Sequence, residues 1–255
     1  MDITTCHAII TGGASGLGRA TAQRVVADGG KVTILDRDTA RGQEAAKELG
    51  ATARFAELDV TDEAAMTGAV ADAVAELGPV TLAVACAGVA TPGRILGRAG
   101  VLALDTYQTV IMVNLIGTFN LMKAAAERMQ HNQPDADGGR GVIVNTASVA
   151  AYEGQVGQAA YASSKGGVVG LTLPAARELA QFGIRVMTIA PGLFLTPMMS
   201  GLPEEVQASL AASTPFPKRL GAPAEYADLV ACIYRNDMLN GAVIRLDGAV
   251  RLAAR

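Results

Sequence analysis

Residues 7–18 read HAIITGGASGLG. Ile9, Ile10 and Thr11 are β-branched, which suits a strand, and the helical period of apolar residues begins at Leu17. Three glycines punctuate the passage between them. Gly12 can take backbone angles that other residues resist. Gly16 lets the chain approach a pyrophosphate, and Gly18 lets the following helix lie close on the strand. The helix start then offers unpaired N–H groups and the positive end of its dipole to phosphates. Many glycine-rich turns merely connect elements. This one joins a strand to a helix at the first crossover of the chain, which points to nucleotide binding.

Working outward, short β-rich runs alternate with longer stretches of helical period. The strands expected are His7–Thr11, Val32–Leu35, Ala53–Leu58, Leu82–Cys86, Val142–Thr146, Arg185–Ala190 and Val243–Leu246. The helices expected are Leu17–Ala27, Ala40–Leu49, Glu63–Leu77, Tyr107–Gln130, Ala160–Gln181 and Pro223–Tyr234. Continuous apolar strands imply a sheet covered on both faces, and strand–helix alternation implies right-handed crossovers. The fold class is therefore α/β, a doubly wound Rossmann fold with a seven-stranded parallel sheet. No linker, repeat or low-complexity tract divides the chain, so residues 1–255 form one domain. Residues 89–105 and 193–220 are irregular and are assigned as substrate loops; Gln130–Gly141 is a further surface loop.

Composition narrows the class. Half of the 255 residues are hydrophobic and 18% are charged, ample apolar surface for a packed core. The net charge is −3 and no Lys/Arg block stands out, which argues against a nucleic-acid partner. Cys6, Cys86 and Cys232 have neither disulfide nor metal spacing, and each lies in an apolar run where a small buried hydrophobe is expected. His7 and His131 have no partners at metal spacing either, so no metal is assigned. The N-terminus lacks a basic region before its apolar stretch, and no apolar run approaches a membrane span of about 20 residues. No membrane partner is expected, and the expected location is the cytoplasm.

The second strand ends at Leu35-Asp36, the separation from the glycine turn at which a carboxylate holds an adenosine ribose. Asp36 would repel the extra phosphate of NADP, so the cofactor expected is NAD, although the adjacent Arg37 could neutralise such a phosphate. Ser148 lies just past the end of the strand Val142–Thr146, where open α/β sheets bind ligands. Tyr161 and Lys165 are four apart in AAYASSKGGVVGLTL and share a helix face. Removing hydride from an alcohol carbon requires the hydroxyl proton to leave too. Tyrosine titrates near 10, but an adjacent ammonium stabilises its phenolate and makes it a usable base. Ser148 would hold the substrate oxygen. A Tyr-x-x-x-Lys pair alone is common surface decoration; its weight comes from Ser148, Asp36 and the glycine turn together.

These motifs resemble the short-chain dehydrogenase/reductase family along essentially the whole chain. TGGASGLG is similar to its cofactor turn, Ser148 with YASSK to its active site, and Pro191-Gly192 to its nicotinamide loop. By that resemblance Asn114 completes a catalytic tetrad with Ser148, Tyr161 and Lys165, supporting a proton-relaying water, and Asp59-Val60 contacts adenine. The stretches VNLIGTFN, GVIVNTASVAAYEGQVGQAAYASSKGG, IRVMTIAPGLF and NGAVIRLDGAVR resemble a subgroup acting on 3-hydroxyacyl-CoA. That implies NAD(H), an acyl-CoA substrate and a homotetramer. It also implies cofactor contacts from Gly12, Ser15, Gly16, Leu17, Gly18, Cys86, Ala87, Gly88, Tyr161, Lys165, Phe194 and Thr196, and substrate contacts from Ser148, Gln155 and Tyr161. One departure stands out: the family's Asn-Asn-Ala-Gly is Ala85-Cys86-Ala87-Gly88 here.

Two rival functions remain. A steroid or other bulky secondary alcohol would suit the apolar flap Leu193–Leu202, with Phe194, Met198 and Met199. A non-catalytic NAD-binding scaffold would keep the fold without its chemistry, against which the intact Ser148, Tyr161 and Lys165 argue. A CoA ester would need cations for its phosphates, and Arg94, Arg98, Lys218 and Arg219 are the candidates.

Overall fold

The computed structural model describes residues 1–98, 100–201 and 203–254, and the side chain of Met198 also lies outside the described set. Ala99 and Leu202, in the two expected substrate loops, are thus outside it.

The chain runs β1 (His7–Thr11), α1 (Gly16–Ala27), β2 (Lys31–Asp36), α2 (Thr39–Leu49), β3 (Ala53–Glu57), α3 (Glu63–Leu77) and β4 (Leu82–Ala85). A small hairpin, β5 (Leu96–Gly97) and β6 (Gly100–Val101), precedes α4 (Leu104–Ile111), which continues through a π-helical turn, Met112–Ile116, into α5 (Gly117–Met129). Then come β7 (Gly141–Thr146), α6 (Ala159–Leu179), β8 (Ile184–Pro191), α7 (Pro197–Ser200), α8 (Glu204–Ala212), α9 (Pro223–Arg235) and β9 (Val243–Leu246). The main sheet has seven strands in the order β3-β2-β1-β4-β7-β8-β9, every pair parallel. Its order reverses between β1 and β4, the switch point at which such sheets bind ligands.

Strand alternation assigns the two faces. Ile10, Ile34, Val84 and Val144 pack with Tyr226, Val230 and Tyr234 of α9 on one side. Ile9, Leu35, Ala83 and Ile143 pack with Met66 and Val70 of α3 and Leu121 of α5 on the other. Every residue of β1, β4 and β7 is buried, which is why these strands show no polar alternation. Each fully buried Ile or Leu contributes about 1.5–3 kcal/mol relative to exposure.

Three expectations change. The stretch 193–220 is not wholly irregular: Pro197 opens α7 and Pro203 precedes α8, positions where the ring's fixed φ starts a helix. Cys232 is exposed on α9 while Cys6 is buried, so the buried-hydrophobe expectation fails for Cys232. The continuous helix Leu104–Met129 has 26 residues, enough by length and composition to cross a bilayer. It is half buried against the protein, and Asn114, Thr118 and Asn120 on it are buried polar residues. These features mark it as a core helix.

Candidate active site

The glycine turn has the shape the sequence calls for. Gly12 and Gly16 have φ of +66° and +54°. A Cβ at Gly12 would sit 2.7 Å from the backbone nitrogen of Ala87, and one at Gly18 would sit 2.4 Å from the Gly12 oxygen. Ser15 caps α1 in extended conformation without a side-chain capping bond, leaving the first-turn N–H groups for a ligand. Beside them a groove of about 420 Å³ runs between Gly16, Arg19, Thr196 and Pro197. This cradle admits an anion and no side chain, so the turn fits a pyrophosphate.

Asp36, at the tip of β2, accepts from the Ala14 and Asp38 backbone nitrogens, both at 3.1 Å. Those bonds clamp the carboxylate over the turn and still leave lone pairs for a sugar hydroxyl. Arg37 is exposed, and its charge adds to the depression of the Asp59 pKa, which arises first from the Thr61 backbone N–H and hydroxyl. Asp59 is therefore at the rim, whereas Val60 is buried with its carbonyl accepting from Asn120 at 3.0 Å. Leu17 and Phe194 pack into the main core, so what they offer a cofactor is backbone. Phe194 bridges to Gly221, and Leu195 donates to the Gly221 carbonyl at 2.8 Å.

Cys86, Ala87 and Gly88 leave β4 across the sheet's switch point. The Cys86 nitrogen donates to the Thr11 carbonyl at 3.1 Å, and the thiol lies 3.6 Å from both the Tyr226 and Thr146 hydroxyls, which bond each other at 2.7 Å. Burial pushes the Cys86 thiol up, so it remains an inert thiol. A Cβ on Gly88 would meet Asn114 Oδ1 at 3.2 Å and Lys165 Nζ at 3.6 Å, so this strand exit runs directly beside the reactive side chains.

Ser148, Tyr161 and Lys165 converge at the C-terminal end of β7. The Ser148 hydroxyl bonds the Tyr161 phenol and lowers its pKa, against the larger upward pull of burial. Lys165 Nζ donates to the Thr146 carbonyl at 2.8 Å and lies 5.8 Å from the Tyr161 ring centroid. Burial pulls Lys165 from 10.5 to about 8, which leaves it mainly charged at neutral pH. Asn114 sits in the π turn between α4 and α5. Its Nδ2 donates to the Val89 carbonyl at 2.9 Å and to Ser164 Oγ at 3.0 Å, and its Oδ1 accepts from the Val89 nitrogen at 2.8 Å. Asn114 thus ties the strand exit to α6, next to Lys165. A π turn is a frequent functional irregularity and has no sequence signature.

Pro191 ends β8, and the Gly192 nitrogen donates to the Leu246 carbonyl at 2.9 Å. Thr196 caps α7 beside Gly16. Gln155 is drawn away from a free pocket position: its Nε2 donates to the Ala253 carbonyl at 3.0 Å. Arg219 forms a two-pronged pair with Glu225 at 2.7 and 2.8 Å, while Arg94, Arg98 and Lys218 are exposed. Sequence reasoning missed the Thr146 carbonyl as the lysine's acceptor. It also missed the pairing of Glu153 with Arg245, 92 residues apart, since nothing local signals either.

A tyrosine beside a buried lysine, facing a phosphate cradle across a topological switch, defines a nicotinamide-dependent oxidoreductase. Residues 6–207 match the family described as short chain dehydrogenase, and the chain belongs to it. It is 55% identical over 247 residues to 3-hydroxyacyl-CoA dehydrogenase type-2 of Homo sapiens, covering 96% of this chain and 95% of that protein. The Drosophila melanogaster protein of the same name is 52% identical over 98% of this chain and 99% of its own length. The crystal structure of 3-hydroxyacyl-CoA dehydrogenase type-2 from Mycobacterium avium superposes with a TM-score of 0.95 at 44% identity, covering 99% of this chain and 98% of that one.

Proposed function

We propose that this enzyme oxidises 3-hydroxyacyl-CoA to 3-oxoacyl-CoA with NAD. The observation that carries the reading is the convergence of Ser148, Tyr161 and buried Lys165 at the end of β7. A bound nicotinamide supplies the hydride acceptor. Tyr161 takes the proton from the substrate hydroxyl during oxidation and returns it during reduction. The Lys165 ammonium, 5.8 Å from the Tyr161 ring centroid, favours the phenolate by its charge. Ser148, already bonded to Tyr161, holds the substrate oxygen as its charge develops. Asn114 fixes the strand exit at Val89 and so keeps the lysine's surroundings rigid.

The acyl-CoA assignment draws on relatives of that name at 52–55% identity over nearly the full chain. The preference for NAD draws on Asp36 at the tip of β2, whose carboxylate, held by the Ala14 and Asp38 nitrogens, would repel a 2′-phosphate brought beside it. The steroid reading loses its best support, because Phe194 of the flap is turned into the core. A homotetramer in the cytoplasm completes the proposal. Apolar Met112 and Phe119 on the α4–α5 helix and Leu173 on α6 are exposed and suited to burial against further copies.

The test offers NAD or NADP to the purified protein with 3-hydroxybutyryl-CoA, a 2-methyl branched analogue and a hydroxysteroid. Preferential NADH formation with a CoA ester is expected. Turnover of the steroid alone, or with NADP alone, overturns the substrate or cofactor assignment respectively.

A further inference from the structure

Beyond β9 the chain turns back at Asp247–Val250 and runs along residues 153–156, the connection between Ser148 and Tyr161. Arg245 anchors that return. Its guanidinium donates to both carboxylate oxygens of Glu153, at 2.7 and 2.9 Å, to Asp247 Oδ2 at 2.7 Å and to the Val250 carbonyl at 3.1 Å. It also stacks 5.2 Å from the ring centroid of Tyr152. Arg251 adds pairs to Glu153 at 3.5 Å and Asp247 at 3.2 Å. Further along, the Val156 nitrogen donates to the Ala254 carbonyl at 3.0 Å, beside the bond from Gln155 to Ala253.

The same turn touches the opposite wall of the site. A Cβ on Gly192 would lie 2.8 Å from the Asp247 Cβ and 3.2 Å from Val250 Cγ1, and the Phe216 nitrogen donates to Gly248 at 3.3 Å. One turn therefore contacts the Ser148–Tyr161 connection and the Pro191–Gly192 loop together. Bidentate Arg–carboxylate pairs are the ion pairs with enough geometric definition to fix such a spacing. Glu153 responds as a true partner: its bond to Arg245 holds its carboxyl below the usual range.

We propose that Arg245, through Glu153 and Asp247, is a positioning residue that sets the distance between the substrate-side connection and the nicotinamide-side loop, and with it the affinity for the acyl thioester. Arg245 does not touch the reacting atoms. Its effect belongs to substrate binding, while the phosphate cradle at Gly12–Gly18 lies at the other side of the switch point and is unaffected.

Because this rests on the acyl-CoA reading, the wild type is assayed first with acetoacetyl-CoA and NADH. No turnover there overturns that reading and this proposal with it. Given turnover, Arg245→Met and Glu153→Gln are each expected to raise KM for the CoA ester about tenfold, with the Kd for NAD changed by less than about twofold. Arg245→Lys, which keeps the charge without the fork, is expected to fall between them and wild type. Folded variants with wild-type KM overturn the proposal. So does a rise in KM accompanied by parallel losses of kcat, NAD affinity and Tm, which marks a purely structural role. Glu153→Gln leaves the Arg245 bonds to Asp247 and Val250 in place, and decides the matter if Arg245→Met does not fold.

Discussion

Lys165 has 4% of its surface exposed, and its ammonium is satisfied by one backbone carbonyl, that of Thr146. Burial lowers its pKa from 10.5 to about 8, so the folded state holds this proton less tightly than the unfolded chain does. The stability this group allows is full above about 10.5 and is lost as pH falls toward 8. At neutral pH, keeping the charge buried costs about 3 kcal/mol. Lys165→Met removes that penalty along with one hydrogen bond, for an expected net gain of about 2 kcal/mol in unfolding free energy at neutral pH. Turnover should vanish at the same time. Urea titration checks the first statement, and a lower midpoint would contradict it. The spacing of Tyr161 and Lys165 was legible because the helix period fixes it. The acceptor of the lysine was not, since a backbone carbonyl has no residue type.

Among the elements, β4 and β7 carry the departure from the family pattern. Ala85 pairs in register with Asn145. Asn145 is fully buried, and neither its Oδ1 nor its Nδ2 has a partner among the described residues. An orphaned buried amide costs about 1–3 kcal/mol. Ala85→Asn places a matching amide on the neighbouring strand, where side chains of paired residues point to the same face. It is expected to raise unfolding free energy by about 1 kcal/mol, read from the urea midpoint. No gain would show that the space beside Asn145 cannot take a side chain. The alternation of strands and helices was legible throughout, because buried parallel strands are unbroken apolar runs and their crossovers are amphipathic. What escaped were local irregularities. The π turn at Asn114 follows from no residue preference, and Pro197 and Pro203 signal a helix start as readily as a break.

Across the whole molecule, the end of the sheet away from the active site holds a buried histidine that makes stability depend on pH. His7 on β1 is 1% exposed, with Nδ1 2.8 Å from the Gly78 carbonyl and Nε2 3.0 Å from Thr33 Oγ1. Burial, opposed by the bond to the Gly78 carbonyl and helped by the charge of Lys31, holds its pKa below 6.5. A depressed histidine contributes stability that is complete above the unfolded value of 6.5 and falls as pH drops through the folded one. Wild type should therefore lose unfolding free energy as pH falls below about 6.5, and His7→Gln should lose measurably less over the same fall. Equal slopes would contradict the assignment. Here the sequence showed only a strand residue, because its two partners, the accepting Gly78 carbonyl and the donating Thr33 hydroxyl, meet it through tertiary structure alone.

The chemistry itself turns on one hydroxyl. The most direct measurement is the rate of NADH formation by Tyr161→Phe with 3-hydroxybutyryl-CoA, with NAD affinity determined on the same preparation. Acid–base catalysis by Tyr161 predicts a loss of turnover of about a hundredfold or more with NAD binding intact. Turnover near the wild-type rate would contradict the account.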